Sequence, residues 1–122
     1  MTTFSVNLNK IALLRNSRGT GFPDVIAFAQ RAIAAGAHGI TVHPRPDQRH
    51  TTYDDVRALA ELCRGHEGIE FNVEGNPIPK FMETVKEVKP DQATLVPDAE
   101  GQLTSDHGWD LHGQTDRVKG IV

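Results

Sequence analysis

The sequence predicts an α/β protein built on a parallel sheet, and within that class a TIM-type (β/α)8 barrel of which this chain supplies about the first four βα units. Three observations lead there. Strand-like and helix-like segments alternate along the chain, which favours parallel strands joined by right-handed crossovers. In three successive strands the apolar residues share one face (Phe4, Val6, Leu8; Ile40, Val42; Ile69, Phe71, Val73), while the opposite face is polar (Ser5, Asn7, Asn9; Thr41, His43, Arg45; Glu70, Asn72, Glu74). An open sheet covered by helices on both sides would press that polar row against a helix, whereas a barrel turns it to an interior open at the C-terminal rim. Finally, eight units need about 250 residues. Four units in 122 residues are therefore read as a single domain, 1–122, forming the N-terminal half of a barrel.

Each element has its own warrant. Phe4–Leu8 alternates as a first strand, and residues 9–21 read as a long loop carrying Lys10, Arg15 and Arg18. Pro23 and Asp24 open a first helix, with Val25, Ile26, Phe28, Ala29, Ile33 and Ala34 as its buried stripe and Gly36 as its end. Gly39–Val42 is the second strand and runs into a loop dense with imidazole and guanidinium groups. Thr51 or Thr52 caps the next helix, with Asp54 and Asp55 in its first turn where the helix dipole favours negative charge. Ile69–Glu74 is a third strand, followed by a helix from about Pro79 to Val88 and a fourth strand at Gln92–Val96. Residues 113–122 begin another helix.

Composition narrows the function classes. A net charge of -3 and a pI near 6.0 argue against a dedicated nucleic-acid binder, although basic residues still gather locally. Cys63 has no partner thiol, which excludes an intrachain disulfide and a cysteine-rich zinc module; it reads as a small buried apolar residue. No leader-like segment opens the chain and no apolar run approaches the ~20 residues of a membrane span. The expected setting is soluble and cytoplasmic, with no membrane and no nucleic-acid partner.

The candidate chemistry collects at strand ends. His43, at the C-terminal end of the second strand, is the best acid/base candidate, because histidine titrates near neutral pH and that end of a barrel strand faces substrate. An imidazole hydrogen-bonded within the wall is the bland alternative. Glu70 points to the same side one strand further round, and a carboxylate there needs a cation, for which Arg45 is the obvious partner; such a pair is also a possible structural element. Lys10, Arg18, Arg45, Arg49 and His50 occupy two rim loops where an anion is held bidentately, or where Arg49 simply points to water. Thr104 and Ser105 offer hydroxyls in the fourth rim loop, or cap a helix there. His107 and His112 lack the spacing of a zinc helix, so no metal is expected. His38 and His66 fall before strands, on the far rim.

Taken together, the run from Val6 to Thr20 (VNLNKIALLRNSRGT), then Gly39–Arg45 (GITVHPR), Arg49-His50, Glu70, Lys89-Pro90 and Leu95-Val96-Pro97 resemble the pyridoxine 5′-phosphate synthase family of de novo vitamin B6 biosynthesis. The similarity runs in order from the first strand to the last residue. It implies a (β/α)8 barrel that condenses 1-deoxy-D-xylulose 5-phosphate with 3-amino-2-oxopropyl phosphate, releasing phosphate and water, with no metal and no organic cofactor. By position it implies His43 and Glu70 as two of three acid/base residues. Asn7, Arg18, Arg45, His50 and Thr104 match the family's substrate contacts. Many members carry Asp-His where this chain has Asn9-Lys10, which sit at a substrate-binding position. The third catalytic residue, a histidine, belongs to the family's C-terminal half, so this segment is expected to be an incomplete catalyst. The resemblance also implies a homo-oligomer, an octamer built from dimers.

Two other readings stay open at this point. One is a non-catalytic half-barrel that binds a phosphorylated ligand. The other is a different phosphosugar-processing barrel, a lyase or aldolase, which would need a Schiff-base lysine on an inner strand face; none of the four strands carries one.

Overall fold

A computed structural model describes residues 1–122 as one parallel sheet with helices against it. The strands are β1 (Ser5–Asn7), β2 (Gly39–Val42), β3 (Glu70–Gly75) and β4 (Gln92–Leu95), hydrogen-bonded in chain order. The helices are α1 (Asn9–Arg18), α2 (Val25–Ala34), α3 (Tyr53–Arg64), α4 (Pro79–Val88) and α5 (Thr115–Ile121). All three strand pairs are parallel, with Val6 opposite Ile40, Ile40 opposite Phe71 and Val73 opposite Ala93. Helices α1 to α4 pack side by side in sequence. No helix is long and apolar enough to cross a membrane.

The core lies between the sheet and α1–α4. Leu8, Ile40, Val42, Phe71 and Val73 meet Ala12, Val25, Ala29, Val56, Leu59, Cys63, Phe81 and Val88 there. The other face of the sheet is polar, as its sequence pattern predicts. Ser5 and Thr41 share a hydroxyl hydrogen bond of 2.7 Å, and the Thr94 hydroxyl donates to Asn72 Oδ1 at 2.9 Å. A strand order that follows chain order, with one apolar and one polar face, is compatible with an arc of a barrel.

Caps explain where the helices begin. Asp24 accepts from the N–H groups of Ile26 and Ala27, and Thr52 with Asp55 forms a reciprocal capping box on α3. At the last residue of β3, Gly75, the Phe81 ring packs on the backbone and leaves no room for a side chain: a Cβ there would lie 2.3 Å from Phe81 Cε2.

Three sequence expectations need correction. Residues 9–18 form a helix, not a loop. Its apolar residues form one contiguous run, Ile11–Leu14, rather than recurring at helical spacing, and it is held by contacts that sequence does not display: Asn7 Oδ1 accepts from the Asn9 N–H at 2.8 Å, and Arg15 makes a bidentate pair with Asp55 at 2.6 and 2.7 Å. The buried stripe of α2 is Val25 and Ala29 with Ile26, Ala32 and Ile33 beside them, while Phe28 and Ala34 are exposed. Phe4 also lies outside the core, 54% exposed, with its ring edge-on to His38.

Candidate active site

The site residues gather where β2, β3 and β4 release their C-terminal ends into loops. His43, Arg45, Asp47, Arg49, Asn76 and Asp98 help line a cavity of about 230 Å³ there. His43, Arg45, His50 and Asp98 are all buried, although all four are ionisable groups, and Arg and Asp in particular ordinarily seek water.

The burial is matched by pairing. Arg45 Nη2 lies 3.3 Å from Asp98 Oδ2, and its Nη1 donates to the Gln102 carbonyl at 2.7 Å. Arg49 Nη1 donates to the same carbonyl at 3.0 Å, while its other nitrogens grip Asp47 at 2.8–2.9 Å. Two guanidiniums thus converge on one carbonyl oxygen and pull the loop after β4 across the end of β2. Ser105 Oγ donates to Asp98 Oδ2 at 2.5 Å, and the Asn76 amide donates to the Asp98 carbonyl at 2.6 Å.

His43 Nε2 sits 3.9 Å from Asp98 Oδ2, and its ring stands edge-on to His50 at 6.1 Å between centroids. Burial, reinforced by the Arg45 charge, lowers the His43 pKa, with Asp98 opposing. His50 is pushed down to about 4, by burial first and then by His43 and Arg45. Its Nδ1 accepts the Thr51 N–H at 2.9 Å. Both imidazoles are therefore neutral at neutral pH, the state in which a histidine acts as a base. No group of three or more His, Cys, Asp or Glu residues is placed to hold a metal ion.

Asn9 ties three elements together: its Oδ1 accepts the His43 N–H at 2.9 Å and the Thr51 hydroxyl at 3.3 Å. Asn7, Lys10, Arg18 and Thr104 are exposed. Lys10 and Arg18 ride on α1, Thr104 stands in the loop after β4, and none of these three lines the cavity.

Glu70 is exposed on the polar face, opposite Gly39 at the start of β2. That is four residues before His43, roughly 13 Å along a strand. The Arg45–Glu70 pairing expected from sequence therefore does not form, and Asp98 takes the carboxylate's place. Glu74, one residue past the Val42–Val73 pair, stands level with His43. Burial, and secondarily the charge of Asp98, raises the Glu74 pKa. Sequence reasoning missed Asp98 and Asn76; the only signal was a carboxylate two residues beyond the end of the fourth strand segment, where a barrel presents its chemistry.

The family model for pyridoxal phosphate biosynthesis protein PdxJ matches residues 4–122. This chain belongs to that family. It is similar to proteins named pyridoxine 5′-phosphate synthase: 55% identical to the one from Xanthomonas axonopodis pv. citri (strain 306) and 60% identical to the one from Xanthomonas campestris pv. campestris (strain B100), in each case over 99% of this chain and 50% of the relative. The relative from Xylella fastidiosa (strain 9a5c) is 56% identical over 99% of this chain and 49% of its own length. The chain spans about half the length of the curated relatives it matches.

Proposed function

We propose that the protein to which this chain contributes is a pyridoxine 5′-phosphate synthase, a transferase-type enzyme that joins 1-deoxy-D-xylulose 5-phosphate to 3-amino-2-oxopropyl phosphate and closes the pyridine ring with loss of phosphate and water. The chain is read as the first four βα units of its (β/α)8 barrel. The observation that carries this reading is the buried cluster at the C-terminal strand ends, where a neutral His43 stands beside the Arg45 and Arg49 guanidiniums in a cavity of about 230 Å³.

The residues then have separable roles. Arg45 and Arg49 offer planar forks to phosphate or substrate oxygen atoms. His43 moves protons during imine formation, dehydration and ring closure, work for which a positioned acid/base group contributes roughly 10²–10⁴-fold. Glu70 is the second acid/base group, acting from the polar face that forms the barrel interior. Asn7 at the end of β1, Lys10 and Arg18 on α1, and His50 and Thr104 from loops contact substrate, and Asn9 holds the His43 backbone in place. Association into a homo-oligomer is part of the same reading.

A specific observation favours a second assignment for the carboxylate: Glu74 is level with His43 and its pKa is raised. Steady-state kinetics of Glu70→Gln and Glu74→Gln in the full-length protein separate the two. The catalytic carboxylate loses kcat with little change in KM, and the other variant keeps both. Binding of each substrate without any turnover by the full-length protein would instead favour a non-catalytic binding module.

A further inference from the structure

Gln102 is the residue around which the loop after β4 is folded. Its N–H donates to the Ala99 carbonyl at 3.1 Å, closing a β-turn whose third residue, Gly101, has a φ of +80°, a left-handed value that glycine adopts freely. The Gln102 side chain then ties the turn to both flanks. Its Oε1 accepts the Ala99 N–H at 3.0 Å, while its Nε2 donates to the Thr104 carbonyl at 2.8 Å and to Asp106 Oδ1 at 3.0 Å. One fixed backbone donor and two acceptors leave the amide a single orientation. The Gln102 carbonyl, meanwhile, is the oxygen on which Arg45 and Arg49 converge, at 2.7 and 3.0 Å. Gln102 itself is half-buried and does not line the cavity. It holds instead a residue from each of two loops, Arg45 after β2 and Thr104 after β4.

We propose that Gln102 is a positioning residue: its side-chain amide fixes the turn that aims its carbonyl at the Arg45 and Arg49 guanidiniums and sets where Thr104 stands. The assignment rests on Arg45 and Thr104 being the substrate contacts proposed above. A loose loop has to be ordered when substrate arrives, which weakens binding, whereas a loop already shaped by its own hydrogen bonds has met that cost on folding. The position needs a donor and not merely a side chain of this size. A glutamate has the same shape, but its carboxylate cannot donate to the Thr104 carbonyl and would face Asp106 as a like charge.

Steady-state kinetics of the full-length protein beside Gln102→Glu and Gln102→Ala test it. Each variant should raise KM for one of the two substrates about tenfold or more, with kcat and the other KM within about threefold, the pattern of binding lost equally from ground and transition states. Despite its matching shape, Gln102→Glu should do no better than Gln102→Ala. A Gln102→Glu protein that behaves like the unmodified one would show that size alone matters and would overturn the assignment. Unchanged KM in Gln102→Ala would overturn it too, as would a fall in kcat at constant KM, the mark of a smaller active fraction. Should Gln102→Glu fail to fold by circular dichroism, Gln102→Ala decides alone on the same split. No turnover by the unmodified protein overturns the synthase reading and this inference together, whereas turnover that both variants retain unaltered overturns the inference alone.

Discussion

Arg45 and Asp98 meet at 3.3 Å across the mouth of the sheet, with side chains 7% and 5% exposed. The pair joins the loop after β2 to the loop after β4 over the end of β3. Breaking a buried ion pair by removing one partner is far more harmful than replacing both, because the surviving charge is left without water or counter-ion. Asp98→Ala should therefore destabilise the protein by about 3–5 kcal/mol, and the double variant Arg45→Met/Asp98→Ala should recover much of that loss. Urea unfolding of the three proteins measures it. A double variant no better than the single one would mean that the pair matters through something other than its charge.

Helix α1 is held by the Arg15 guanidinium on Asp55 and by the Asn16 amide on the carbonyls of Arg49 and His50. Arg15→Ala should cost about 1–3 kcal/mol and free the helix to exchange its amide hydrogens, because a half-buried carboxylate loses two charge-assisted hydrogen bonds. Arg15→Lys should restore little, since an ammonium cannot make the fork. Hydrogen exchange at residues 9–18 reads this directly.

How much was legible in the sequence follows from what period and pattern can carry. The strands, the polar face and α4 at Pro79–Val88 were legible because alternation and helical spacing report on burial, and the core obeys them. Helix α1 was not, because its stability comes from Arg15 and Asn16 reaching residues far along the chain, a relationship with no local signature. His43 and Arg45 were legible from their place at a strand end. Asp98 was not, because a loop carboxylate looks like any solvated turn until the fold brings it against Arg45. Glu70 shows a further limit: period two assigns a face of the sheet but not a height along it, and its partner in register is Gly39.

Gly75 is a test of packing rather than chemistry. With a Cβ built there, Phe81 Cε2 and Cδ2 would lie at 2.3 and 2.4 Å, and Phe81 is itself 1% exposed with no free space to retreat into. Gly75→Ala should destabilise by about 1–3 kcal/mol, as overpacking of a filled core does. Pairing it with Phe81→Leu should cost less than the sum of the two single changes, a result that thermal unfolding of the four proteins would reveal.

Stability should also depend on pH through His50. Its folded pKa is about 4, below the ordinary value of about 6.5. Between those values the unfolded chain binds a proton that the folded one refuses, so stability is full above about pH 6.5 and falls as pH drops toward 4. His43, also lowered, acts with the same sign. His50→Gln should flatten the slope in that window without abolishing it, leaving the share that belongs to His43. An unchanged slope in urea titrations at pH 4, 5, 6 and 7 would show that His50 keeps an ordinary pKa in the folded protein.

The most direct test of the proposed activity is turnover by the full-length protein with 1-deoxy-D-xylulose 5-phosphate and 3-amino-2-oxopropyl phosphate, measured beside its His43→Asn variant. The account predicts pyridoxine 5′-phosphate and inorganic phosphate in equal amounts, with kcat reduced about 10²-fold or more in the variant and KM little changed. No product from the unmodified protein, or an undiminished kcat after the histidine is replaced, would contradict it.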